Sequence, residues 1–194
     1  MGKISRDYGL IAVVMALIIV LTANITYADS VLVQNDGNVP SSWAKAEIDK
    51  AKEIGIVPER ILGNYGSSIT REEFSEVAVS LYEALSGKKA VLQGDNPFTD
   101  TQNVKVIIAN DLGIVKGIGD GRFAPELMIT RQEISVMLYR TLKAAKPDIN
   151  YTYSGMDKYT FVDYDEISSW AREAVGYLYG IGVINGIGES HFSP

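Results

Sequence analysis

Two blocks of this sequence occur twice, and this internal repetition constrains the fold more than any other feature. Residues Ile69-Thr70-Arg71-Glu72-Glu73 recur 60 positions later as Ile129-Thr130-Arg131-Gln132-Glu133. The glycine-rich residues 117–125 align with residues 186–194, because both contain Gly-Ile-Gly, then phenylalanine and then proline at matching places. A repeated unit of this length cannot bury its apolar side alone, so its copies are expected to pack on one another.

Further matches divide the chain into three copies of one unit. Trp43 precedes Gly55 by the same twelve residues that separate Trp170 from Gly182. The segment Phe98-Thr99-Asp100 is repeated as Phe161-Val162-Asp163. We therefore expect copies at residues 29–90, 91–150 and 151–194, with residues 146–158 as a plain linker. The third copy is expected to be incomplete, because its Ile-Thr-Arg block would fall beyond Pro194.

Each copy is predicted to fold as helix, loop, helix, which makes the fold class all-α. In the second helix of each unit, apolar residues recur at the i, i+3, i+4, i+7 spacing of one helix face. They are Phe74, Val77, Ala78, Leu81, Tyr82 and Leu85 in the first copy, and Ile134, Met137, Leu138, Thr141, Leu142 and Ala145 in the second. Capping residues are predicted before both kinds of helix. They are Ser42 and Ser169 for the first helix, and the pairs Thr70–Glu73 and Thr130–Glu133 for the second.

The first 28 residues have the order of a secretory signal peptide. Lys3 and Arg6 precede an apolar run from Leu10 to Leu21, and Thr26-Tyr27-Ala28 offers small residues at a cleavage site. The alternative is an uncleaved membrane anchor, although the apolar segment is short for a span. Under either interpretation the rest of the chain lies outside the cytoplasm.

Composition excludes several classes of function. The chain has no cysteine, which excludes a disulfide framework and a thiolate metal site. Its net charge is −6, so no overall basic field exists to attract nucleic acid, and we expect none as a partner. An anionic ligand would have to be bound by a local group of cations.

Arg71 and Arg131 are candidates for such a local site, because each stands at the first position of a predicted helix. A cation there faces the positive end of the helix dipole, which is unfavourable, so its repetition suggests a use. Free backbone amides and a guanidinium together would bind a carboxylate or phosphate. Two alternatives stay open: the arginine pairs with a buried carboxylate such as Asp120, or the capping residues only cap. Trp43 and Trp170 likewise suit either sugar stacking or core packing.

Taken in order, these blocks resemble the S-layer homology repeat over roughly residues 39–194. The resemblance implies an all-helical, pseudo-threefold bundle that anchors non-covalently to secondary cell-wall polysaccharides, which often carry pyruvate ketals. The carboxylate of such a ketal suits an arginine at a helix end. By motif position, the resemblance implies ligand contacts from Arg71 and Arg131, helix starts shaped by Thr70, Thr130, Glu73 and Glu133, and grooves lined by Asp120, Gly117, Gly119, Gly121, Gly186 and Gly188.

The sequence departs from the family pattern in every copy. Residues 62–68 replace the glycine-aspartate loop in the first, Thr101 replaces the tryptophan in the second, and residues 189–191 replace the Asp-Gly pair in the third. We therefore expect one complete groove.

No catalytic arrangement is evident, and we expect a non-enzymatic cell-surface protein that needs no cofactor or metal. His191 is expected to face solvent from its loop. A second hypothesis is an assembly module that docks a surface-layer or cargo protein, which would expose a large apolar patch. A third is a wall hydrolase, which would need Asp163 and Glu166 to face each other across a cleft. Membrane contact is expected only through an uncleaved signal segment.

Overall fold

A computed structural model of the protein describes residues 39–152, 160–188 and 190–194. The predicted signal peptide, residues 1–28, lies outside the described residues, as does the side chain of Trp43. Within the described part, no helix combines the length and the hydropathy that a membrane span requires.

The described residues form α-helices and no named strand, which confirms the all-α fold class. The helices are α1 (Ser42–Glu53), α2 (Arg71–Ser86), α3 (Val104–Asp111), α4 (Arg131–Ala145) and α5 (Ser169–Gly180). Two 3₁₀ turns, Glu59–Ile61 and Tyr164–Glu166, precede α2 and α5 respectively. The pseudo-threefold arrangement and the repeat boundaries stay predictions.

The two helices that carry the Ile-Thr-Arg blocks form the centre of the molecule. Helix α2 packs against α4, α3 packs on α2, and α5 packs on α4. The predicted apolar faces of α2 and α4 are buried, apart from a half-buried Tyr82. The 3.6-residue period of a helix puts these side chains on one face, and burying that face stabilises helices that are too short to persist alone.

Both predicted capping boxes form, so the starts of α2 and α4 are determined locally. The Thr70 hydroxyl accepts from the Glu73 amide at 3.2 Å, and the Glu73 carboxylate accepts from the Thr70 amide at 2.8 Å. Thr130 and Glu133 repeat the arrangement at 3.4 and 2.9 Å. At its other end, α2 stops at Gly87, whose φ of 70° is the left-handed conformation that favours glycine.

The N-caps predicted for the first helices are wrong by one residue. Ser42 and Ser169 are already helical, and Ser41 and Ser168 occupy the N-cap positions. Neither of these two serines makes a side-chain capping hydrogen bond. Adjacent serines offer the same local chemistry, so the sequence alone does not distinguish the two positions.

Aspartates of the repeated Phe-x-Asp blocks hold the phenylalanine loops in place. The two carboxylate oxygens of Asp100 accept from the amides of Phe123 and Ala124, both at 2.8 Å. Asp163 accepts in the same way from Phe192 at 2.7 Å and Ser193 at 2.6 Å. These contacts join the beginning of each copy to its glycine-rich loop.

The expectation of a plain linker after α4 is wrong for its first part. Tyr151 is buried, and its hydroxyl donates to the carbonyls of Leu142 and Lys146 at 2.7 and 2.9 Å. Its ring also contacts Tyr139 and Tyr177, with centroids 5.8 and 5.1 Å apart. An isolated tyrosine in a charged stretch has no periodicity, so local sequence gives no sign of this packing. Residues 153–159 lie outside the described part.

Candidate functional site

Arg71 does not project into solvent; it joins the start of α2 to the loop before α4 and to the first turn of α4. Only 8% of the residue is exposed. Its guanidinium donates to the Phe123 carbonyl, the Lys116 carbonyl and the Glu133 carboxylate, each at 3.1 Å. The guanidinium also lies 4.9 Å from the centroid of the Phe123 ring. The interpretation of Arg71 as paired with a carboxylate is therefore correct, but the partner is Glu133 and not Asp120.

The backbone amides at the start of α2, which were predicted to be free, donate hydrogen bonds within the protein. The amide of Arg71 donates to the Leu127 carbonyl at 2.9 Å, and that of Glu72 donates to the Pro125 carbonyl at 3.1 Å. The loop of the next copy thus satisfies the helix end from the outside. An anion site made from free amides and a guanidinium is absent there, which corrects that part of the sequence prediction.

Arg131 occupies the equivalent position on α4 and contacts the third copy. Its guanidinium donates to the Asn185 carbonyl at 2.6 Å and lies 5.1 Å from the centroid of the Phe192 ring. Burial lowers the pKa of this guanidinium, while the charge of Asp163 opposes that shift. Both predicted arginines therefore bind a phenylalanine loop of the following copy.

A surface groove between α4, α5 and the loop after α3 contains the main concavities near these residues. We call it the Trp170 groove. Its wider part, of about 340 Å³, is lined by Tyr139, Arg140, Lys143, Glu173 and Trp170 among others. Its narrower part, of about 210 Å³, is lined by Arg71, Lys116, Gly117, Glu133, Arg140 and Trp170 among others. Trp170 and Arg140 belong to both parts.

Trp170 lies in this groove with its residue 55% exposed, which decides between its two interpretations in favour of the surface. The tryptophan stands in the first turn of α5, which packs on α4. An exposed indole presents a flat apolar surface with one N–H donor, which suits stacking against a sugar ring.

Three cations that sequence reasoning did not single out line the groove together with Trp170. They are Lys116, Arg140 and Lys143. The Lys143 ammonium lies 5.0 Å from the centroid of the Tyr139 ring, and the Tyr139 hydroxyl donates to Glu173 at 2.7 Å. Burial and that carboxylate raise the pKa of Tyr139, so its hydroxyl stays protonated and donates. The sequence did contain a signal for these cations, which is a difference between the two repeated helices. Arg140 and Lys143 of α4 stand where α2 has Ser80 and Glu83.

The other predicted site residues fall into two groups. Gly117 lines the narrower part of the Trp170 groove, and a Cβ added there would lie 2.7 Å from the Arg122 carbonyl oxygen. Gly186 is restricted in the same way by the Cα of Ser190 at 2.8 Å. The remainder are exposed loop residues with positive φ that line neither part of the groove. They are Gly119, Asp120, Gly121 and Gly188.

The acidic residues near α5 do not form a catalytic pair. Asp163 is buried, and both of its oxygens accept backbone amides of the third copy's loop. Glu166 lies on the adjoining 3₁₀ turn, whose N-cap residue is Asp163. Among the described residues, no cluster of histidine and carboxylate side chains could hold a metal ion. His191 is half-buried in its loop, where the prediction expected it to face solvent.

Comparison with known proteins identifies the repeats. The family model of the S-layer homology domain matches residues 97–134 and 160–194. These two segments are S-layer homology repeats. Domains of this kind anchor cell-surface proteins to the cell wall, and the match covers the Phe-x-Asp blocks, the phenylalanine loops and the start of α4.

Several curated proteins are similar to part of the chain. An endoglucanase of Bacillus sp. (strain KSM-635) is 29% identical over 119 residues, which is 57% of this chain and 13% of that protein. Exoglucanase XynX of Acetivibrio thermocellus is 32% identical over 110 residues, which is 52% of this chain and 10% of that protein. Cell surface glycoprotein 1 of Acetivibrio thermocellus is 28% identical over 133 residues, which is 66% of this chain and 6% of that protein. The chain therefore matches only a small part of each relative.

Proposed function

We propose that this chain binds an anionic secondary polysaccharide of the bacterial cell wall in the Trp170 groove and anchors non-covalently without catalysing a reaction. The observation that carries the proposal is the exposed indole of Trp170 beside Lys116, Arg140 and Lys143. An aromatic face for a sugar ring and cations for an acidic substituent stand together on one surface. A pyruvate ketal on the polymer would supply such a substituent.

Electrostatics supports an anionic ligand in spite of the overall charge. The protein carries a net charge of −6, so bulk attraction would favour cations. In the groove, however, the carboxylates of Glu133 and Glu173 already accept hydrogen bonds from Arg71 and Tyr139. The lining carries four cations, Arg71, Lys116, Arg140 and Lys143, against these two carboxylates, so the groove has a local positive surface that favours an acidic sugar.

Residues 39–90 are proposed as a first repeat of the same kind, because α2 shares its capping box and its first-turn arginine with α4. The proposed boundaries are those expected above: 29–90, 91–150 and 151–194. A protein attached to the chain as cargo would be held at the wall by the groove, and no catalysis by the chain itself is required.

The experiment is co-sedimentation of the purified protein with cell-wall sacculi, before and after chemical removal of the secondary polymer. Wild-type protein is expected to sediment with intact sacculi and to stay in solution with stripped sacculi. Trp170→Ala is expected to lower the affinity about 10- to 100-fold, because stacking on an exposed aromatic is lost. Val162→Ala, which shortens another exposed apolar residue outside the groove, is the matched control and is expected to bind normally.

An assembly role is the second candidate, and one observation favours it. Leu127 and Met128 are adjacent large apolar residues that are both exposed. If Leu127→Ser/Met128→Ser abolished wall attachment while Trp170→Ala and polymer removal had no effect, the chain would attach through protein contacts and the polysaccharide proposal would fail.

A further inference from the structure

We propose that Arg140, and not the helix-terminal arginines, binds the carboxylate of the polymer and so determines specificity for an acidic sugar. This inference rests on the proposed function and assigns the ligand's charge to one side chain. Sequence reasoning gave the role to Arg71 and Arg131, and both have the wrong surroundings for it.

Arg71 has little capacity left for a ligand. Three of its hydrogen bonds go to Phe123, Lys116 and Glu133, and a ring covers one face of its guanidinium. Its charge is already balanced by the Glu133 carboxylate at 3.1 Å. A carboxylate brought to Arg71 would have to compete with Glu133, so Arg71 acts by positioning the Lys116 and Phe123 backbone.

Arg131 is less balanced in charge but is in the wrong place. It lines neither part of the Trp170 groove, and it is held by the Asn185 carbonyl at 2.6 Å against the Phe192 ring. A ligand stacked on Trp170 and bound to Arg131 would have to extend out of the groove.

Arg140 combines the right place with unused binding capacity. It is half-buried and lines both parts of the groove together with Trp170. Its one hydrogen bond among the described residues goes to the Ile114 carbonyl at a long 3.4 Å, and no described carboxylate lies within 4.0 Å of it. A guanidinium has five N–H donors in a planar fork, which leaves enough for a bidentate carboxylate.

The surroundings of Arg140 also give it a reason to bind an anion. Burial in the groove wall lowers its pKa, and no neighbouring charge opposes that shift. A partly desolvated cation without a counter-ion is costly, and an anionic ligand removes the cost. Because Arg140 shares both parts of the groove with the indole, one acidic sugar can stack on Trp170 while its carboxylate contacts Arg140.

The test pairs variants with two forms of one ligand: the purified secondary polymer, and the same polymer with its carboxyl groups reduced to alcohols. Affinities are measured by calorimetry for wild type, Arg140→Met, Arg140→Lys and Arg172→Met. Arg172 is the matched control, because it is a partly buried arginine on α5 with one backbone hydrogen bond and an aromatic contact, outside the groove.

Wild type and Arg172→Met are expected to prefer the acidic polymer about 10- to 100-fold, the size of a charged hydrogen-bond pair. Arg140→Met is expected to bind both polymers equally and at the level of the reduced one. Arg140→Lys keeps the charge without the planar fork and is expected to retain part of the preference. A preference as large as that of wild type in Arg140→Met would overturn the inference. If Arg140→Met does not fold, Arg140→Lys serves instead, and a preference for the acidic polymer as large as that of wild type would overturn the inference.

Failure of the proposed function gives a different binding result from failure of the Arg140 assignment. If wild-type protein binds neither polymer, the groove is not a polysaccharide site at all. If wild type binds both polymers equally, the polysaccharide role stands. In that case the protein does not recognise the charge of the ligand, and the assignment of Arg140 is wrong.

Discussion

Helices α2 and α4, which carry the repeated Ile-Thr-Arg blocks, each line a different concavity of this protein. One is the Trp170 groove on α4. The other, which we call the Ser80 groove, has about 300 Å³ and is lined by residues at the end of α1 and the end of α2. Positions that are 60 residues apart differ in charge between the two: neutral Ser80 stands where α4 has Arg140, and anionic Glu83 stands where it has Lys143.

The polar groups of the Ser80 groove are also already paired with the protein. Ser80 accepts from Lys105 at 2.9 Å, and Glu83 accepts from Lys89 at 3.3 Å and from the Ala90 amide at 2.9 Å. In the Trp170 groove, by contrast, Arg140 and Lys143 have no carboxylate within 4.0 Å among the described residues. A repeated backbone therefore does not repeat the chemistry of a groove, because that chemistry depends on side chains that the fold leaves free to vary.

The ion pairs of the two capping-box glutamates also differ between the repeated helices, and this difference bears on stability. Glu133 is bound by the nearly buried Arg71 from the preceding copy, whereas Glu73 is bound by Arg60, whose side chain is 44% exposed, at 3.3 Å. The first ion pair connects the first turns of α2 and α4, whereas the second connects the 3₁₀ turn at Glu59–Ile61 to the first turn of α2.

The largest expected effect comes from breaking these two ion pairs in turn. Arg71→Ala should lower the free energy of unfolding by about 3 kcal/mol, because it leaves the Phe123 and Lys116 carbonyls without this donor and Glu133 without its cation. Arg60→Ala should cost less, about 1 kcal/mol, because the Arg60 side chain is 44% exposed and its ion pairs with Glu73 and Glu76 are partly screened by solvent. Urea denaturation of both variants measures the difference, and equal losses would mean that Arg71 does not join α2 to α4 as described.

The next effect comes from converting one groove into the other. Arg140→Ser/Lys143→Glu gives α4 the side chains that α2 has at Ser80 and Glu83. We expect this variant to lose about 100-fold in affinity for intact sacculi, since two cations are removed and a carboxylate is added. Its thermal stability should be close to that of wild type, because Lys143 is exposed and the half-buried Arg140 makes one long hydrogen bond, at 3.4 Å, among the described residues. Unchanged sedimentation would place the wall-binding surface elsewhere.

The smallest effect concerns the glycine-rich loop at residues 117–125, which Asp100 holds in place through Phe123 and Ala124. Residues 62–68 stand in the corresponding place earlier in the chain and lack the glycine-aspartate pair. The amide of Phe123, and then that of Ala124, hold the pKa of Asp100 below its ordinary value of 3.8. A carboxyl whose pKa is depressed by folding contributes stability above its unfolded pKa, and this contribution is lost as the pH falls through the folded pKa.

Wild-type stability should therefore fall more steeply than that of Asp100→Asn as the pH drops from about 5 to below 3.8. Urea denaturation across this range measures the two slopes. Asp95→Asn, which changes an exposed aspartate near the same loop, is the control and should follow wild type. Equal slopes for wild type and Asp100→Asn would show that these amide contacts do not form in solution.

Much of the fold follows from local sequence. The spacing of Phe74, Val77 and Leu81 predicts one buried helix face, and the pairs Thr70–Glu73 and Thr130–Glu133 determine where α2 and α4 begin. These features depend on groups within four residues of one another, so the order of residues is sufficient to predict them. The repeated blocks, read as sequence alone, also indicate the family.

What the sequence could not determine is where a given side chain points once the copies pack. Arg71 matches the motif position of a ligand-binding arginine, yet its guanidinium is consumed by Phe123, Lys116 and Glu133, which are more than 40 residues away in the chain. Arg140 has no motif, and only the packing of α5 on α4 brings it beside Trp170. Hydrogen bonds within a helix are local, whereas the lining of a groove depends on which segments meet across it, and the tertiary structure alone decides that.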